Sequence, residues 1–146
     1  MDSEFDFRLH TDRSGCVGTQ YFEFVPGPYR GTHWVPGGPF IDENTFCLFE
    51  GIFERHVPNY DHFAVSHVVL PQLNVIVIEI TALEERLLRA NGKEVNLPYG
   101  GTLRVEDTFR RDVVENQRRL ATLLSELEIW LRKTLTAYDC VSVLRL

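Results

Sequence analysis

From Glu4 to His10 apolar and polar residues alternate, with Phe5, Phe7 and Leu9 on one side and Glu4, Asp6 and Arg8 on the other. Successive side chains of an extended chain point to opposite faces, so this period of two predicts a half-buried strand. Thr11-Asp12-Arg13-Ser14-Gly15 predicts a turn. The aromatic and β-branched run Thr19 to Val25 predicts a second strand, broken by Pro26-Gly27-Pro28. Tyr29 to Val35 predicts a shorter third, closed by Pro36-Gly37-Gly38-Pro39.

The period then changes. Phe46, Phe49, Ile52, Phe53 and His56 recur at helical spacing, with Asp42 or Asn44 as the cap and Pro58 as the stop. Glu43, Glu50 and Glu54 fall on the polar face of this helix. Phe63-Ala64-Val65 reads as a short strand. Across residues 70–91, Leu73, Ile76, Val77, Ile80, Leu83 and Leu87 make one helical stripe. Pro71 suits its first turn and Asn91-Gly92 its end. The run Val75 to Ile80 is β-branched enough for a strand, but the strong helix former Thr81 to Ala90 continues the same stripe, and helix is the reading adopted. Residues 92–105 read as loop, with a short hairpin around Gly100-Gly101. Over 107–136, Phe109, Val113, Leu120, Leu124, Leu127, Trp130 or Leu131, and Leu135 form a stripe about eight turns long, and Val114 and Ile129 lie off it. The alternation in Asp139 to Leu146 predicts a strand returning to the sheet. The pattern is that of one α+β domain over residues 1–146. It predicts an antiparallel sheet of four or five strands packed on two or three helices, with a long C-terminal helix followed by a final strand.

A chain of 146 residues is long enough to build a core without disulfides or metals. Its three cysteines, Cys16, Cys47 and Cys140, show no C-x-x-C spacing, which argues against a disulfide framework or a zinc motif and suits a reducing, cytoplasmic compartment. The acidic start Met1-Asp2-Ser3-Glu4 is unlike a secretory leader, and Val68 to Ile80 is too short and polar to span a bilayer. The net charge of −6 is uneven: residues 1–60 hold nine acids and four bases, whereas residues 106–146 hold seven of each. Such a balance argues against direct nucleic-acid contact, which needs phosphate-neutralising cations, and suits a basic partner.

Phosphate loops, dinucleotide fingerprints, zinc-protease and nucleophile-elbow motifs are all missing from the sequence. His56, Asp61, His62 and His67 lie close together, but at no standard metal spacing. Cys16 has only Arg13 beside it as a base, so neither a catalytic residue nor a metal or cofactor is expected. Glu50 and Glu54, one turn apart, read as a solvated face rather than an acid–base pair. Asn59-Tyr60-Asp61-His62-Phe63 combines an aromatic, an acid and an imidazole directly after a helix end, which suits an interface and equally a connection whose Tyr60 packs inward.

The order of elements resembles that of small cytoplasmic proteins encoded beside bacterial polymorphic toxins, including contact-dependent growth inhibition immunity proteins. The resemblance runs from Thr45 onward, through Phe46, Phe49 and Phe53, Asn59-Tyr60-Asp61-His62-Phe63, Leu87-Leu88 and Leu127-Glu128-Ile129-Trp130-Leu131 to Tyr138-Asp139-Cys140-Val141-Ser142-Val143-Leu144. It implies a protein that neutralises a cognate toxin domain by tight one-to-one binding that covers the active site or blocks substrate access. The expected partner is a basic C-terminal toxin domain, a nuclease, with no contact to nucleic acid or membrane. The candidate partner-binding residues, chosen for charge, aromaticity and exposure, are Asp42, Glu43, Glu50, Glu54, Tyr60, Asp61 and His62. Two alternatives stay open: a small enzyme using the His56–His67 region, and a homodimeric module paired through the long C-terminal helix.

Overall fold

The computed structural model describes residues 5–12 and 20–146; Cys16 and most of the turn expected at 11–15 lie outside them. Two strands with nearly continuous apolar sequence, β1 (Tyr21–Pro26) and β4 (Cys140–Arg145), occupy the middle of one antiparallel sheet. β2 (Phe40–Asp42) and β3 (Ser66–Val69) form its edges, in the order β2-β1-β4-β3. The register sets Phe24 opposite Val143 and Val68 opposite Val141, so Phe22, Phe24, Ile41, Val68, Val141 and Val143 share the face turned to the core.

The other face is covered as well, by the segment expected to be a third strand. Residues 29–35 form no ladder: Gly31 and Trp34 take left-handed φ values of 84° and 59°, which break extended pairing. The segment folds over β1 instead. Trp34 packs edge-on against Phe40 at 4.7 Å. The N–H groups of Trp34 and Val35 donate to Glu23 at 2.9 and 2.6 Å, holding this fully buried carboxylate in place. The strand expected at 4–10 is likewise not formed among its described residues. Only His10 bridges to Phe40, because the N–H groups of Asp6 and Arg8 go to the carboxylates of Asp42 and Asp6 rather than to a neighbouring strand. Its alternation still has its effect, in that Phe5 and Phe7 are buried in the core.

The helix expected from Asp42 to Pro58 is two helices, α1 (Glu43–Cys47) and α2 (Glu50–His56). Asp42 caps the first by accepting from Thr45 N at 2.9 Å. Phe49, with φ −136° and ψ 8°, ends its run. α3 (Leu70–Ala90) is the helix expected at 70–91, stopped by Asn91 in the left-handed conformation. The long helix at 107–136 is broken at Asp112 (φ −137°, ψ 58°) into α4 (Glu106–Arg111) and α5 (Val113–Thr134). Asn116 Nδ2 donates to Phe109 O at 2.9 Å across that break.

The apolar stripes of α3 and α5 pack on each other and on the sheet, with Leu73, Ile76, Ile80 and Leu83 meeting Leu120, Leu124, Leu127 and Leu131 in one cluster. Gln117 joins the far end of α3 to α5 by accepting from Gly92 N (3.0 Å) and donating to Lys93 O (2.7 Å). No hairpin forms around Gly100-Gly101. That segment straps onto the first two helices, with Gly51 N donating to Pro98 O and Gly100 N to Cys47 O, both at 2.8 Å. Among the described residues no helix is long and apolar enough to cross a membrane.

Candidate functional site

The break between α1 and α2 places Glu43, Cys47 and Glu50 around one interior point. After α2 the chain reverses at Asn59, which takes a left-handed φ of 62°, and lays Tyr60 and His62 back over Glu50. His62 Nδ1 lies 2.7 Å from Glu50 Oε2, and its Nε2 lies 2.7 Å from Glu43 Oε2. Arg145, at the end of β4, donates from Nε to the same Glu43 oxygen at 2.7 Å. The Tyr60 hydroxyl donates to Glu50 Oε2 at 2.7 Å and the Cys47 thiol to Glu50 Oε1 at 3.4 Å.

These groups are interior: Glu50 is 0%, His62 6% and Glu43 8% exposed. One imidazole nitrogen faces Glu50 and the other Glu43, so His62 bridges the two acids while Arg145 shares Glu43. Acidic groups persist in a core when partnered in this way. Aromatic rings wall the cluster, with Phe22 and Phe63 edge-on to His62 at 4.9 and 4.8 Å and Arg145 5.6 Å from the Phe63 ring centre.

Burial would raise the pKa of Glu43, but hydrogen bonds from Arg145 and His62 outweigh it and hold the carboxyl below its usual range. Burial, reinforced by the charge of Glu50, pushes the Cys47 thiol and the Tyr60 phenol up, so both stay protonated donors. Gly100 is required here: a Cβ on it would stand 2.3 Å from Glu50 Oε1.

Above the cluster opens a groove of about 760 Å³, lined among others by Glu54, Arg55, His56, Tyr60, Asp61 and Phe63. Phe63 is 66% exposed on its rim. Asp61 is exposed and accepts from Phe63 N at 2.9 Å, and Glu54 accepts from Gly101 N at 3.0 Å. The loop carrying Phe63 is thus held by its own carboxylate and, through Tyr60 and His62, by the buried network.

The seven residues expected to meet a partner therefore divide. Glu54 and Asp61 are exposed, whereas Tyr60 and Asp42 are half-buried. Glu43 and Glu50, expected on a polar helix face, and His62, expected in an exposed loop, are interior, because the break at Leu48-Phe49 and the two covering segments turn them inward. The expected excess of surface acidity is also consumed inside. Glu23, Glu43 and Glu50 are buried, Asp42 caps a helix, and Asp6 pairs with Arg8 and His10. The histidines of 56–67 do not converge, since His56 pairs with Glu79 on α3 and His67 contacts Ser142 at 3.2 Å. Arg145, 102 positions from Glu43 in the chain, carries no sequence signal of its part here. Cys47 and Gly100 could have been suspected only as a buried thiol type and a loop glycine.

Fold and site together define a small antiparallel α+β domain with a buried Glu–His–Glu–Arg network under a surface groove. No family model matches the chain, and no curated protein or solved structure is found similar to it.

Proposed function

We propose that this chain is a binding inhibitor of the immunity type, which neutralises a basic toxin domain, a nuclease, in the cytoplasm by covering its active site. The observation that carries the reading is an exposed aromatic, Phe63, flanked by Asp61 and Glu54 on a loop held from beneath by Tyr60 and His62. Aromatic anchors surrounded by polar groups supply most of the affinity of protein interfaces. A loop already ordered in the free protein loses less entropy on binding. Asp61 and Glu54 give the rim the sign that speeds encounter with a basic cleft. An interface of standard size, about 1,600 Å², would reach from this groove onto the neighbouring ends of α1 and α2.

The test is co-expression with the C-terminal domain encoded immediately upstream, scored by growth and by co-purification. The reading requires growth rescue and a stoichiometric complex, both lost in a Phe63→Ala, Asp61→Arg double variant. A harmless neighbour with no complex would refute it.

Self-association has separate support, on α3 rather than on the C-terminal helix. Pro71, Val75, Ile78 and Ala82 are exposed and recur at helical spacing on its outer side, whereas the exposed Val114 and Ile129 of α5 lie several turns apart. Sedimentation of the wild type against Ile78→Glu decides whether that face pairs.

A further inference from the structure

Holding a loop needs hydrogen bonds; it does not need a thiol. Yet Cys47, Glu50 and His62 are all buried, and their ligand atoms lie within 4.8 Å of one another. We propose that Cys47 Sγ, Glu50 and His62 Nδ1 bind one Zn²⁺ ion, with water from the groove as the fourth ligand.

The donor set is the first reason. A thiolate with an imidazole and a carboxylate suits zinc, and sulfur disfavours calcium or magnesium. Three protein ligands and an open fourth position are an ordinary zinc arrangement. Spacing is the second. A tetrahedral ion with usual bond lengths holds sulfur and oxygen about 3.5 Å apart and nitrogen and oxygen about 3.3 Å apart. Cys47 and Glu50 already stand at 3.4 Å, and His62 Nδ1, 2.7 and 2.9 Å from the two Glu50 oxygens, needs to withdraw by about half an ångström. The third reason is the outer layer. Histidine ligands characteristically donate their second N–H to a carboxylate that fixes the ring; His62 Nε2 meets Glu43, and Arg145 orients Glu43 in turn.

On binding, the protons on the ligand atoms, that of the Cys47 thiol among them, pass to solvent, and the Cys47 thiolate and the Glu50 carboxylate offset the two charges the ion brings. Cys47 and Glu50 are fully buried beneath the groove that Tyr60 and His62 line, so the ion and its water enter when the 60–62 segment opens.

The full chain, purified and stripped with EDTA, is titrated with Co²⁺ as a spectroscopic substitute and separately with Zn²⁺. One equivalent of Co²⁺ should produce a thiolate-to-cobalt charge-transfer band, which excess Zn²⁺ abolishes, and Zn²⁺ should raise the melting temperature reversibly. Cys47→Ser should remove the band, His62→Gln should weaken metal binding by about tenfold or more, and a Cys16→Ser, Cys140→Ser double variant should keep the band. Should Cys47→Ser fail to fold, alkylation mapping of the wild type serves instead, with Cys47 labelled in partial denaturant less readily when Zn²⁺ is present. No band and no melting shift in the wild type, a band that survives Cys47→Ser, or Cys47 labelling unaffected by Zn²⁺ would overturn the assignment.

Discussion

Replacing His62 by glutamine tests the buried network at its centre. The imidazole bonds Glu50 through one nitrogen and Glu43 through the other. Glutamine can donate to one of these carboxylates but cannot reach both. Glu43 keeps Arg145, whereas Glu50, 0% exposed, keeps only the neutral donors Tyr60 and Cys47. Removing one partner of a buried ion pair typically costs about 3–5 kcal/mol, because the other charge is left uncompensated. At about 2–4 °C per kcal/mol for a domain of this size, melting should fall by about 6–20 °C. Urea unfolding and thermal melts, both in EDTA, measure the change. The cost should reside in the stranded Glu50 charge, so His62→Gln with Glu50→Gln should recover a large part of the loss, a coupling that a double-mutant cycle reads directly. A His62→Gln protein within about 1 kcal/mol of wild type, or a double variant whose losses simply add, would refute the reasoning.

Further outcomes follow from the same contacts. Glu43 and Asp6 are held below their usual pKa values by their partners. The stability they contribute is therefore complete above the ordinary value, 4.5 for Glu43, and is lost as pH falls through the depressed one. Urea midpoints should drop between about pH 5 and pH 3, and Glu43→Gln should flatten part of that slope. Burial and Glu50 keep the Cys47 thiol protonated, so at pH 8 alkylation mapped by mass spectrometry should label Cys47 only after unfolding; labelling of native Cys47 at the unfolded rate would contradict this. Leu124→Asp, at a fully buried position, should abolish the folded circular-dichroism melt, whereas Ile129→Asp, at a site 65% exposed, should stay within about 0.5 kcal/mol of wild type. Gly100→Ala forces a methyl group to 2.3 Å from Glu50 Oε1 and should cost about 1–3 kcal/mol in urea unfolding.

Elements whose pattern depends on one buried stripe are legible in the sequence. The stripe from Leu73 to Leu87 reads as helix despite the β-branched Val75 to Ile80, because burial against α5 overrides intrinsic propensity. The final strand reads correctly from its alternation and its length. What periodicity misses is the break itself and the segments that later fold over a polar residue. Asp112 and Phe49 each break a helix with a backbone turn rather than with proline or glycine, and the apolar stripes run on through both breaks, with Ile52, Phe53, Leu120 and Leu124 buried. Glu50 and Glu54 illustrate the consequence: spaced as one exposed pair, they separate because Gly100 and the 60–62 segment close over Glu50 alone. A buried charge has the same letter as a solvated one, and its partners here come from His62 and from Arg145 at the far end of the chain. The aromatic run at 29–35 misleads for a related reason, since a segment that lies across a sheet and one that pairs within it have similar compositions.

The central proposal, that the rim around Phe63 is the docking surface, is tested most directly by calorimetric titration of the proposed partner, the C-terminal domain of whatever protein is encoded immediately upstream, with three proteins: wild type, Phe63→Ala and Ile129→Ala. The account predicts that Phe63→Ala binds about 30-fold or more weaker, the loss of about 2 kcal/mol expected of an anchor, while staying folded with only a small loss of melting temperature from its ring contacts to His62 and Arg145, and that Ile129→Ala binds as wild type does. Equal affinities for wild type and Phe63→Ala would contradict it.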